Sequence, residues 1–283
     1  FFDKNGYVAL CRRICLKRPP LDALRRRRPL VHCVSNIVTA NDCANVLLAA
    51  GASPIMAQAM EEMAEITAGC DATVLNTGTP EGAGRWDLCR LCGALAAKDH
   101  QPVVLDPVGV GASAFRLAGV ESLLEAFTPT LVRVNLGEAQ ALLHQRSRER
   151  GVDSADAEEK EHLACAAALA RKFQTTVLLT GAADIVTDGV RAWRVLGGSH
   201  SMARITGAGC MLSALCGAFC AAEEDAAKAA VAAAAFWKAC SRRAEASAAA
   251  LGPGHFHMAL LDAAGTLTAA EAETLSAAEP LEL

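Results

Sequence analysis

Six short runs rich in Val, Ile and Leu recur through the first two thirds of the chain, at 30–34, 53–56, 72–75, 102–105, 130–134 and 176–179. Stretches of helical period separate each run from the next, at 41–50, 61–69, 85–98, 117–126, 137–142 and 156–172. Strand and helix alternating at this spacing point to parallel βαβ units, because a parallel pair needs a long crossover and a helix is the usual one. Several runs are apolar throughout instead of alternating, the pattern of strands covered on both faces. Residues 184–188 and 191–196 flank Gly189 and read as an antiparallel hairpin at the sheet edge. Helices are expected from there to the C-terminus, with Ala-rich 225–250 reflecting helix propensity. The fold class is therefore α/β, a three-layer α/β/α domain over 29–283 with a mostly parallel central sheet and an antiparallel edge hairpin.

Composition narrows the partners. The chain has 283 residues, 52% of them hydrophobic and 20% charged, with a formal net charge of −4. There is no cationic field to hold a nucleic acid backbone, and 4% aromatics leave little to stack on single strands. The longest apolar runs are far shorter than a membrane span, so no membrane partner is expected. Twelve cysteines sit mostly in apolar surroundings and read as buried thiols. Cys89 and Cys92 form a close pair, but no second pair stands at zinc-site spacing. A reducing, cytoplasmic setting follows. Residues 1–28 carry nine Lys/Arg against two Asp. They read as a solvated, partly helical basic arm, with an organelle leader as the alternative. The charged run 146–161 reads as a solvated loop leading into a helix.

Ligands of an open α/β sheet bind outside the C-terminal ends of its strands, and polar tips stand at those positions. They are Asn76-Thr-Gly-Thr79, Asp106-Pro-Val-Gly-Val-Gly-Ala112, Asn135-Leu-Gly-Glu138 and Thr180-Gly181. The sharpest feature is Ile205-Thr-Gly-Ala-Gly-Cys210, a glycine turn opening an apolar helix. The free N–H groups of Gly207, Ala208, Gly209 and Cys210, with the positive end of the helix dipole, make an anion site. The spacing is neither Walker A nor GxGxxG. Cys210 falls in the first helical turn, where the dipole is expected to lower its pKa. It can be a base, a polar contact to a substrate hydroxyl, or a packing thiol. Asp106 and Glu138 suit Mg²⁺ beside a polyphosphate, directly or through water, or else a helix-capping role. Arg133, inside a strand, suits a phosphate contact or a structural salt bridge.

Together, Pro29-Leu-Val-His-Cys-Val-Ser-Asn36, Gly51-Ala-Ser-Pro-Ile-Met56, Asp106-Pro-Val-Gly-Val-Gly-Ala112, Thr180-Gly-Ala-Ala-Asp184, Thr206-Gly-Ala-Gly-Cys210 and Gly252-Pro-Gly-His-Phe256 resemble the hydroxyethylthiazole kinases of the ribokinase-like superfamily. The resemblance spans about 29–275. It implies ATP-dependent phosphorylation of the primary hydroxyl of 4-methyl-5-(2-hydroxyethyl)thiazole for thiamine biosynthesis, and a homotrimer with substrate sites between subunits. By resemblance Met56, Asn36, Val38 and Gly207 contact the thiazole, and Arg133, Thr180 and Asn135 bind ATP. Asp106 and Glu138 organise Mg²⁺, and Cys210 takes the place that related kinases give to an Asp base. The alternatives are a related small-alcohol kinase acting on hydroxymethylpyrimidine or pyridoxal, and a catalytically silent relative. Three departures from the family pattern stand out. Val134 is expected beside the phosphate loop, Thr77 replaces an apolar residue, and Phe236-Trp237-Lys238 stands where the family often has a Tyr-Gly pair.

Overall fold

The computed structural model describes residues 20–145 and 155–283. Among these residues, nine strands form one sheet: β1 (Leu30–Val34), β2 (Ser53–Ile55), β3 (Ala72–Asn76), β4 (Val103–Asp106), β5 (Leu131–Asn135), β6 (Thr176–Thr180), β7 (Asp184–Thr187), β8 (Ala192–Gly197) and β9 (Ser276–Leu281). Their order is β2-β1-β3-β4-β5-β6-β7-β8-β9. Neighbours from β2 to β6 pair parallel, and those from β6 to β9 antiparallel. The six parallel strands lie where the six apolar runs predict them, within a residue or two at either end.

The helices are α1 (Pro20–Arg27), α2 (Ala40–Ala50), α3 (Met63–Ala68), α4 (Ala83–Lys98), α5 (Ala114–Ala126), α6 (Leu136–Leu142), α7 (Ala155–Phe173), α8 (Ala208–Ala222), α9 (Ala226–Ala248), α10 (Pro253–Thr266) and α11 (Ala269–Leu275). One core lies between the sheet and the layer of α1, α2 and α8–α11, the other under α3–α7. Strand residues serve the two cores alternately. Val31 and Cys33 face the first and Val34 the second; Leu178 faces the first and Val177 and Leu179 the second. Helix α8 is apolar all round and buried along nearly its whole length, as expected of a helix enclosed by its own layer.

The chain reverses direction across the sheet after β2. From β1 it crosses to β2 on one side, then returns to β3 on the other. Adjacent strand ends therefore diverge at β1 and β3, the crevice where α/β sheets take ligands. Among the described residues, no helix is long and apolar enough to cross a membrane.

Two features depart from expectation. The hairpin β7–β8 is not the edge, because β9 adds a third antiparallel strand. Its sequence Ser-Ala-Ala-Glu-Pro-Leu lacks β-branched residues, and Pro280, opposite Trp193, is tolerated because the outer side of an edge strand needs no donor. The second departure is α1, which lies within the segment read as an arm. Leu21 and Leu24 are buried in the first core, and Arg25 donates to the carbonyls of Ala50 and Ala264. Among the described residues, the packed body thus begins at Pro20 and not at Pro29. The remainder of that basic segment, and residues 146–154 of the charged run, lie outside the described residues.

If α1 is integral, Leu24→Ala removes a fully buried side chain and lowers unfolding free energy by roughly 2–5 kcal/mol in chemical denaturation. An effect below about 0.5 kcal/mol, typical of surface positions, would return the segment to an arm.

Candidate active site

Asp106 ends β4, and its side chain is fully buried. Its Oδ2 accepts from Asn76 Nδ2 (2.9 Å) and Ser213 Oγ (2.8 Å). Asn76 reaches it because the two residues pair across β3 and β4. Ser213 reaches it because it faces the sheet one turn inside α8. Oδ1 has no hydrogen-bond partner and lies 3.6 Å from Arg133 Nη1, an ion pair longer than a hydrogen bond. Burial pushes the Asp106 carboxyl up to about 6; Arg133 pulls it down and Glu138 adds to the rise.

Arg133 points from β5 toward the start of α8. Its Nη2 donates to Thr180 Oγ1 (2.7 Å), while its buried Nε has no partner. Burial works against the guanidinium charge, but Asp106 and Glu138 outweigh it and raise its pKa. The guanidinium lies so close to α8 that a Cβ at Gly209 would stand 2.5 Å from Nη1. Gly207, at φ +81, turns the chain into the helix, and a Cβ there would meet Thr39 Cγ2 at 2.8 Å. These two glycines let Arg133 and Thr39 pack directly against the start of α8, beside the N–H groups of Ala208, Gly209 and Cys210.

A line of side chains crosses the rim. Asn36 Nδ2 donates to Asn76 Oδ1 (2.9 Å) and to Cys210 Sγ (3.4 Å), and Asn36 Oδ1 accepts from the Thr39 N–H (3.1 Å). Asn36, Asn76, Asp106, Ser213, Arg133 and Cys210 form one contiguous polar cluster at the N-terminus of α8. Beside it opens a cleft of about 390 Å³ whose lining includes Ser35, Ile37, Gln58, Met60, Thr79 and Arg85.

Several sequence expectations change here. The Cys210 pKa is raised, not lowered. Burial is the main cause and the Asp106 charge adds to it, against hydrogen bonds to Thr39, Asn76 and Asn36. These two effects prevail over the helix dipole. Glu138 fulfils the capping alternative: its Oε2 accepts from the Asn135 N–H and its Oε1 from the Gly109 N–H, both at 2.9 Å. Asn135 completes the capping box by accepting from the Glu138 N–H. Arg133 forms the salt bridge with Asp106 and also packs against Gly209 at the start of α8. Val134 does not stand beside the phosphate loop; it is buried in the second core, on the sheet face opposite Arg133. The buried Thr77 hydroxyl lies 3.5 Å from the Asp106 carbonyl.

Thr180 joins Arg133, whereas Asn135 sits exposed at the rim. Met56 is half-buried against the first core, and Val38 is 61% exposed. Cys89 and Cys92 are both buried in the second core, and burial holds the Cys89 thiol near 12. Ser213 received no role from the sequence, although one hydroxyl in an otherwise apolar helix was a usable signal. Asp184 and Lys238 likewise receive no role of their own from the sequence. They pair at 3.3 Å, and Lys238 Nζ lies 3.2 Å from the Ala182 carbonyl, tying the loop after β6.

The sequence model of the Hydroxyethylthiazole kinase family matches residues 21–270. A hydroxyethylthiazole kinase of Listeria monocytogenes serotype 4a is 42% identical over 243 residues, 86% of this chain and 90% of that one. One from Nitratidesulfovibrio vulgaris strain DP4 is 44% identical over 241 residues, 85% and 88% of the two chains. Among solved structures, the hydroxyethylthiazole kinase of Pyrococcus horikoshii OT3 superposes with a TM-score of 0.85 at 36% identity, covering 93% of this chain and 98% of that one. A Staphylococcus aureus pyridoxal kinase, in complex with ADP, shares the fold alone, at a TM-score of 0.58, 17% identity, and 76% and 88% coverage. With the family model spanning most of the chain and relatives above 40% identity, this chain belongs to the hydroxyethylthiazole kinase family, a group of phosphotransferases.

Proposed function

We propose that the cluster at the N-terminus of α8 transfers the γ-phosphoryl group of ATP to the primary hydroxyl of hydroxyethylthiazole. The observation that carries this reading is the convergence of Arg133, Asp106 and the α8 N–H groups at one helix N-terminus, in a chain of this family. The hydroxyl oxygen forms the new P–O bond as the bond to ADP breaks, and its proton passes to the transferred phosphoryl group. Charge develops on the phosphoryl oxygens, and preorganised N–H groups with Arg133 stabilise it there. Arg133, Thr180 and Asn135 hold the nucleotide. Met56, Val38, Asn36 and the Gly207 backbone hold the thiazole.

The donor set fits Mg²⁺ held mainly through water. Asp106 Oδ1 is a buried carboxylate oxygen without a hydrogen bond, whereas both Glu138 oxygens already accept backbone N–H groups. Asp106 would hold the ion and Glu138 would support its water shell, as suits an ion that keeps its hydration. Bound with ATP, Mg²⁺ would neutralise charge on the phosphates.

Cys210 remains a neutral thiol at pH 7 and acts as a polar contact beside Asn36. Cys210→Ala should therefore keep kcat within about tenfold of the parent, whereas loss of a true general base costs roughly 10²–10⁴-fold. Cys210→Asp should retain or raise activity, because a carboxylate there gains the helix dipole and the Asn36 N–H. Its complete inactivity, in folded protein that still binds ATP, would count against this mechanism.

Asp106 must be ionised to work. Its raised pKa means that the charged form prevails above about 6 and is lost below it. The kcat/KM profile should thus fall about tenfold per unit on the acid side of that value, since it reports groups of the free enzyme. A flat profile down to pH 5 would contradict the assignment.

Ile37 and Val38 are 74% and 61% exposed directly after Asn36. Apolar side chains beside a site suit cover by a second copy, which supports a homotrimer with shared substrate sites. Sedimentation should give the mass of three chains. Val38→Glu should dissociate them and raise the thiazole KM by roughly tenfold, or about 1.4 kcal/mol of binding. A monomeric parent with full activity would dismiss the shared site.

A further inference from the structure

Three strand ends carry half of the polar cluster: Asn36 follows β1, Asn76 ends β3 and Asp106 ends β4. Backbone carbonyls at these strand ends must find donors, and two arginines supply them. Arg85, in the first turn of α4, places Nη2 within 3.0 Å of the Val34 carbonyl, 2.7 Å of Ser35 and 3.1 Å of Asn76. Its Nη1 donates to Gln58 Oε1 (2.9 Å). Arg116, in the first turn of α5, divides its contacts between two nitrogens. Nη1 donates to the Thr77 (3.1 Å) and Val108 (3.0 Å) carbonyls, and Nη2 to Gly78 (2.9 Å).

Three successive carbonyls, at 76, 77 and 78, are thus each held by a guanidinium. The same two groups tie that segment to the loop before Asn36 and to the loop after Asp106. Among the described residues, neither arginine has a carboxylate within ion-pair distance, and apart from the Arg85–Gln58 bond their hydrogen bonds go to the main chain. A planar fork is suited to bridging fixed acceptors on separate loops. The reward is geometric. With its carbonyl held, Asn76 presents one side-chain face to Asn36 and the other to Asp106.

We propose that Arg85 and Arg116 are positioning residues for phosphoryl transfer, clamping the loops after β1, β3 and β4 so that Asn36, Asn76 and Asp106 keep their mutual placement. The proposal rests on the kinase reading above. The two arginines act through the main chain that they hold. Misplacement of a reacting group by even an ångström costs on the order of 10²-fold in rate, so the effect belongs in kcat.

The variants to compare are Arg116→Gln, Arg116→Lys, Arg85→Gln and Arg85→Lys. The readouts are kcat and KM with Mg·ATP and hydroxyethylthiazole, thermal midpoint, and hydrogen exchange of the Thr77 and Gly78 amides. Both Gln variants should lose on the order of 10- to 100-fold in kcat, with the ATP KM little changed. The lysine variants should diverge. Three acceptors converge on a single nitrogen of Arg85, which an ammonium with three donors can satisfy, so Arg85→Lys should recover most of the rate. One ammonium cannot replace the two nitrogens of Arg116, so Arg116→Lys should stay slow, and added guanidinium ion should restore part of the Arg116→Gln rate. Both Gln variants should exchange the Thr77 and Gly78 amides faster. Unchanged kcat with a lowered thermal midpoint would reduce the pair to a structural role and overturn the proposal. Full rescue by Arg116→Lys would overturn the bridging geometry. If the parent protein phosphorylates no thiazole, the kinase reading fails. The exchange data then decide the clamp alone, and unaltered protection at Thr77 and Gly78 in the variants would dismiss it.

Discussion

A carboxylate and a guanidinium face each other at the head of the sheet, almost out of water, and the site is arranged around that pair. Asp106 and Arg133 are each costly to bury alone, and removing one partner of such a pair usually costs several kcal/mol because the other is left uncompensated. Asn76 and Ser213 satisfy one Asp106 oxygen, while the other is left facing Arg133. The pair is therefore held but not saturated. An unsaturated buried pair is poorly suited to stability and well suited to receiving a third charged group. The parallel register of β3, β4, β5 and β6 brings the participants level, so the sheet acts as a ruler for the chemistry.

Cys210 shows how a local rule loses to its surroundings. A thiol at a helix N-terminus gains from roughly half a unit of positive charge. Against that stand removal from water and a full negative charge on neighbouring Asp106, and these prevail. The same comparison explains Glu138. A carboxylate at a strand end can serve an ion or a helix start. Here the nearest unsatisfied groups are the N–H groups of Asn135 and Gly109, and it takes both.

Much of the site was legible because strand ends are marked twice, by the end of an apolar run and by the polar residue that follows it. Asn76, Asp106 and Thr180 are marked that way, Arg133 by a charge inside an apolar strand, Cys210 by the glycine turn before it and Asn36 only by family resemblance, and the structure brings them together. What was not legible depends on partners distant in sequence. Leu21 and Leu24 sit among arginines, so their segment reads as solvated until α8 and α9 are in place beside it. β9 has no strand propensity of its own and exists because β8 offers it a ladder. Ser213, Arg85 and Arg116 take their meaning from carbonyls and carboxylates that only the fold delivers. Val134 was misplaced for a simpler reason: residues adjacent in a strand point to opposite faces, so a neighbour of Arg133 cannot share its surroundings.

The two outer strands of the sheet have a consequence for how this protein meets copies of itself. β2 is three residues long with Pro54 at its centre, and β9 carries Pro280. Each border thus contains a residue with no N–H to offer an incoming strand, and one border is too short to template much pairing. Growth of the sheet from chain to chain is discouraged at both margins. Any contact between copies is left to side chains on loops and helices, and the main chain is spared the open-ended stacking that leads to fibres.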